Sequence, residues 1–148
     1  MTKDIDVVTE TVIRRPRDEV AAYAGDPTNA PEWYANIVSV EWHTPPPMAV
    51  GSRLAFVARF LGRRIAYVYE VTELEPGRRL VMQTDGKPFP MRTTYTWEPL
   101  GEGRTRMVLR NNGQPSGFAA IGARPMAAAM RGAMTKDLAR IRALLESR

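Results

Sequence analysis

The final third of the chain constrains its fold most. Apolar residues recur there at Phe118, Ile121, Met126, Met130, Met134, Leu138, Ile141 and Leu145. A spacing of mostly three or four residues places them on one face of a long C-terminal helix, with Arg131, Lys136, Arg140 and Glu146 largely elsewhere. Such a face needs a large apolar partner, and the preceding sequence provides one in a series of β-patterned segments. Three successive methionines in the stripe suit an adaptable, polarizable wall, although ordinary core packing accounts for them as well.

Those segments run in a clear order. Ile5 to Ile13 is rich in β-branched residues and reads as a strand. Arg15-Pro16 breaks it. Pro16 followed by Asp18-Glu19 suits a helix start, where acidic groups meet the helix dipole, and that short helix should end near Gly25. Asp26-Pro27-Thr28-Asn29 is turn chemistry, with Thr28 or Asn29 as the expected cap of a second short helix over Pro31 to Ala35. Strands are then expected at Ile37–Trp42, Ser52–Phe60, Arg63–Glu73, Leu80–Thr84, Met91–Glu98 and Arg104–Asn111. Leu61-Gly62, Pro76-Gly77 and Gly101-Glu102-Gly103 mark tight turns, and Pro45-Pro46-Pro47 marks a loop, because proline cannot join a central ladder. No helical segment separates the central strands. The expected class is therefore α+β: a curved antiparallel sheet of about seven strands wrapped on the C-terminal helix, with two short helices after the first strand.

Composition narrows the function classes. At 148 residues with 44% hydrophobic content, the chain suits one globular domain over residues 1–148. It has no cysteine, which removes disulfides, thiolate metal sites and Cys nucleophiles. His43 is the sole histidine and stands beside prolines, so neither a histidine triad nor a multi-histidine metal site is expected. No metal and no other cofactor is implied. The net charge of +5 is spread along the chain, and the aromatics fall on inward-facing strand positions, so nucleic acid is not the expected partner. The sequence lacks the roughly 18-residue apolar run of a membrane span and the apolar core of a signal peptide, so a cytoplasmic location is expected. Nothing in the pattern specifies an oligomeric state.

Four stretches resemble one family in their order and spacing: Val12-Ile-Arg-Arg-Pro-Arg-Asp-Glu-Val, Asp26-Pro-Thr-Asn-Ala-Pro-Glu-Trp, Val71-Thr-Glu-Leu-Glu-Pro-Gly-Arg-Arg-Leu and Asp137-Leu-Ala-Arg-Ile-Arg-Ala-Leu-Leu-Glu. Over essentially its full length the chain resembles the START-like SRPBCC superfamily, in particular its polyketide cyclase/dehydrase and lipid-transport branch. The resemblance implies a helix-grip fold with a deep cavity between sheet and long helix. Members include lipid and steroid carriers and polyketide aromatase/cyclases, so it implies binding more firmly than chemistry, and it carries over no catalytic motif.

On that fold, the inward-facing sets propose a cavity wall of Trp33, Tyr34, Phe56, Tyr67, Tyr69, Met82, Met91, Thr93, Tyr95, Met107 and Asn111, with Phe118, Ile121, Met126, Met130 and Met134 from the helix. Apolar walls with a few placed polar groups are what small-molecule sites require. Trp97 and Leu109 read as core. The expected partner is an apolar or aromatic small molecule, lipid-, steroid- or polyketide-like, held for carriage, sequestration or sensing. The alternative is a cyclase or aromatase in which Tyr67, Tyr69, Tyr95 or Asp85 moves protons; each tyrosine is equally readable as a core ring, and Asp85 as a solvated turn residue. A further alternative is a protein- or ribonucleoprotein-interaction module, which calls for an occluded cavity and an exposed apolar patch.

Overall fold

A computed structural model describes residues 4–87, 89–114 and 122–148. Strand β1 (Ile5–Ile13) is followed by helix α1 (Arg17–Ala24), a 3-10 turn (Pro27–Asn29) and the single-turn helix α2 (Ala30–Trp33). Six strands come next: β2 (Ile37–Trp42), β3 (Arg53–Phe60), β4 (Arg63–Glu75), β5 (Arg79–Thr84), β6 (Met91–Gly101) and β7 (Arg104–Gly113). Helix α3 (Ala123–Glu146) ends the chain. The seven strands form one antiparallel sheet in the order β1-β7-β6-β5-β4-β3-β2. Every neighbour except β1 on β7 is a sequential hairpin pair. The segment carrying α1 and α2 therefore connects the two edge strands, β1 and β2, and spans the open side of the curved sheet.

The period-two pattern sets which side chains face inward. In β7, Met107 and Leu109 are fully buried while Arg110 points to solvent and pairs with Asp6 at 2.6 Å. In α3 the stripe Met126, Met130, Met134, Leu138, Ile141 and Leu145 is buried, as its spacing predicts. Val7, Ile13, Val20, Trp33, Leu54 and Leu80 join these residues in one core.

Three local expectations are corrected. The C-terminal helix does not run on from Phe118: Gly122 stands at its N-cap with φ 93° and ψ 157°, a conformation that excludes helix and that glycine adopts without steric cost. Phe118 and Ile121 lie outside the described residues. Asn29 does stand at the N-cap of α2, but its side chain makes no capping bond and donates instead to Tyr23 O at 3.1 Å; Asp26 caps the preceding 3-10 turn, its Oδ1 accepting from the Thr28 N–H at 3.0 Å. This opens a 3-10 turn first and shortens α2, because Asp reaches the free N–H groups from a non-helical position. Strand β4 also runs past Glu73. A bulge between Val71 and Glu73 inserts one residue against β5, so Leu74 pairs with Leu80 and turns toward the core.

Candidate functional site

Sheet and α3 do not close completely. Between them lies a cavity of about 160 Å³ lined by Tyr34, Asn36, Ile37, Phe56, Ala58, Phe60, Ile65, Tyr67, Tyr69, Met82, Thr84, Phe89, Met91, Thr93, Tyr95, Asn111, Met126, Met130, Ala133, Met134 and Asp137. Strand register brings these residues together. Phe56 pairs with Tyr67, their rings stacked at 5.5 Å and 3°, and Tyr69 meets both rings edge-on at 5.4 and 5.0 Å. Thr93 sits in register with Met82 on one side and Asn111 on the other.

The polar groups of the wall form two networks. In the first, the Thr93 hydroxyl donates to Asn111 Oδ1 at 2.5 Å and lies 2.6 Å from the Tyr69 hydroxyl. Thr93 has one proton, already given to Asn111, so Tyr69 donates to Thr93. In the second, the hydroxyls of Tyr34 and Tyr95 meet at 2.6 Å. Burial pushes the Tyr69 phenol up to about 12 and those of Tyr34, Tyr67 and Tyr95 well above their ordinary value. All four stay protonated at neutral pH, available as neutral donors or acceptors.

Asp137 is the acidic residue of the wall. Its residue is only 3% exposed, its Oδ1 accepts from the Ala35 N–H at 3.0 Å, and burial raises its carboxyl to about 6. It is not among the residues expected from sequence to line the cavity, yet the signal is present. Asp137 stands three residues after Met134 and beside Leu138, so it falls on the buried stripe, where a carboxylate is out of place unless it has a task or a partner.

The other sequence-derived candidates divide by position. Tyr34, Phe56, Tyr67, Tyr69, Met82, Met91, Thr93, Tyr95, Asn111, Met126, Met130 and Met134 line the cavity. Trp33 and Met107 do not. Trp33 is fully buried with its ring 4.1 Å from that of Tyr34 and 6.0 Å from that of Tyr95, so it packs in the core beside them. Met107 pairs with Trp97, two residues along β7 from Leu109 toward the β6–β7 turn, where packed core replaces the cavity. Asp85 is an exposed turn residue whose Oδ1 accepts from the Lys87 N–H at 3.1 Å, away from the cavity wall. Among the described residues no cluster of three acidic or histidine side chains could hold a metal ion, and no helix is long and apolar enough to cross a membrane.

A curved antiparallel sheet wrapped on a long helix defines a helix-grip protein of the START-like type. The chain belongs to the polyketide cyclase/dehydrase and lipid transport family, whose model matches residues 4–146. No curated protein sequence matches it. Among solved structures it is similar to the Zhui aromatase/cyclase of a Streptomyces species, at 14% identity and a TM-score of 0.79, covering 99% of this chain and 96% of that one. It is also similar to the di-domain aromatase/cyclase BexL at 19% identity and a TM-score of 0.74, covering 95% of this chain but spanning only 46% of that protein. A ginseng major latex-like protein from Panax ginseng aligns at 14% identity and a TM-score of 0.74, covering 95% of this chain and 97% of that one. At these identities the likeness is one of fold.

Proposed function

We propose that the chain binds an apolar or aromatic small molecule between the sheet and α3, for carriage, sequestration or sensing. The observation that carries this reading is the cavity itself, about 160 Å³ with walls of aromatic, aliphatic and methionine side chains. That volume is on the scale of the engineered apolar cavity of about 150 Å³ that takes one benzene ring. Met126, Met130 and Met134 line one side, and methionine repacks readily, so the wall can adapt to a larger guest. Family membership supports the same reading. The test is native mass spectrometry of the protein as isolated, together with titration by 2-naphthol followed by fluorescence. Saturable 1:1 binding, or a co-purifying apolar compound, is the expected result; no binding by either measurement overturns the reading.

A cyclase- or aromatase-type reaction is the second reading, and Asp137 favours it. A carboxyl held near 6 in a largely apolar cavity wall is poised to exchange a proton at neutral pH, and neutral phenols face the same space. Tyr67→Phe, Tyr69→Phe and Tyr95→Phe separate the two readings. A carrier loses affinity by about two- to tenfold for each lost hydrogen bond. An enzyme that uses one hydroxyl as acid or base loses turnover by about 10² to 10⁴ in that variant.

A further inference from the structure

The cavity wall is asymmetric in charge. Among the described residues it carries the Asp137 carboxyl and no lysine, arginine or histidine. A cation that acts on Asp137 is Arg140, three residues further along α3, and its Nε is engaged by the Glu32 carbonyl at 2.5 Å. The other polar groups mostly satisfy one another in the Tyr69–Thr93–Asn111 and Tyr34–Tyr95 networks. Asp137 is held through Oδ1, which accepts from the Ala35 N–H at 3.0 Å. A carboxylate has more lone pairs than this one bond uses, so in the cavity wall it can accept from a further donor.

We infer that the cavity selects compact aromatic ligands bearing a hydrogen-bond donor, such as a phenolic hydroxyl or a protonated amine, and excludes aromatic or fatty carboxylates, with Asp137 as the specificity-determining residue. The inference rests on the binding reading above and names the ligand class of the same cavity. A donor group reaching the Asp137 carboxylate adds a charge-assisted hydrogen bond to it. A carboxylate guest would instead be buried beside a like charge with no lysine, arginine or histidine in the described wall to pair with it, and Arg140, which acts on Asp137 from outside the wall, is engaged by the Glu32 carbonyl. The phenols of Tyr34 and Tyr95, which interact electrostatically with Asp137, stay neutral and offer no counter-charge.

The experiment titrates the protein at neutral pH with two probes of the same ring system, 2-naphthol and 2-naphthoate, and repeats both titrations on Asp137→Asn. Asparagine keeps an oxygen for the Ala35 N–H. Wild type is expected to bind 2-naphthol at least about tenfold more tightly than 2-naphthoate, and the variant to close most of that gap by gaining affinity for 2-naphthoate. Should the variant fail to fold, wild-type affinity for 2-naphthoate is read from neutral pH to about pH 5, where protonation of Asp137 is expected to raise it. Equal affinities in wild type, or a gap unchanged both by the substitution and by acidification, overturn the selectivity while leaving binding intact. Binding of neither probe overturns the binding reading and this inference together.

Discussion

The hydroxyls of Tyr34 and Tyr95 lie 2.6 Å apart, joining the end of α2 to the middle of β6 across 61 residues of sequence. This bond fixes the segment that spans the open side of the sheet to the central strands. Its neighbour is the Asp137 bond to Ala35, which fixes the same segment to α3. Two adjacent residues, Tyr34 and Ala35, therefore tie together all three walls of the cavity.

The tyrosine pair is expected to show coupling in a double-mutant cycle. Tyr34→Phe or Tyr95→Phe alone leaves a buried hydroxyl without its partner, at about 1 to 3 kcal/mol. The double variant removes both hydroxyls and should lose less than the sum of the singles, by about 1 kcal/mol. Urea unfolding of the four proteins measures this, and strict additivity would show that the hydroxyls do not act as a pair.

Asp137 gives stability a definite pH signature. Its folded carboxyl, at about 6, lies above the ordinary unfolded value near 3.9, so the folded state holds the proton more tightly. Stability from this group is greatest in acid, falls as pH rises from about 4 to about 6, and is flat above, a difference of about 2 to 3 kcal/mol at most. Asp6 and Glu146 are shifted the opposite way by Arg110 and by the Arg14 N–H, and their contribution is lost in acid. The measurement is therefore the difference between wild type and Asp137→Asn in urea midpoint across that range. The variant is expected to gain on wild type as pH rises, and parallel curves would contradict the buried, shifted carboxyl.

Met130→Trp tests whether the space beside α3 is free. Met130 lines the cavity and is nearly buried, so the larger ring is expected to occupy the void, abolishing 2-naphthol uptake with only modest loss of stability. Forcing the same ring into a closed core costs about 1 to 3 kcal/mol. Full uptake retained together with a loss of that size would place Met130 in packed core.

Gly113→Ala should damage the sheet at the cavity-side end of β7. A Cβ there would stand 2.2 Å from Pro90 O and 2.8 Å from Met91 Cα, both backbone atoms of the neighbouring strand or its approach. Neither can rotate away. A loss of about 3 kcal/mol is expected by urea unfolding, at the upper end of overpacking costs. A loss below about 0.5 kcal/mol, the range of an indifferent surface change, would mean that β7 does not approach Pro90 so closely.

Side-chain face was legible in the sequence because it is a local property. Successive strand residues point to opposite faces and helix residues three or four apart share one, so the alternation through Tyr67, Tyr69, Thr93 and Tyr95 and the stripe from Met126 to Leu145 specify inward positions without tertiary information. The element order followed from the same periodicities and from the turn residues between them. Depth along the axis was not legible. Met107 and Asn111 occupy one face of the same strand, yet Asn111 lines the cavity and Met107 is core; only the packing of α3 against the sheet decides where solid core gives way to space. Long-range polar partners were hidden for the same reason. The buried stripe carried Asp137 in plain view, but its bond to Ala35, 102 residues away, and its place beside the Tyr34–Tyr95 pair exist only once sheet, bridging segment and helix have come together.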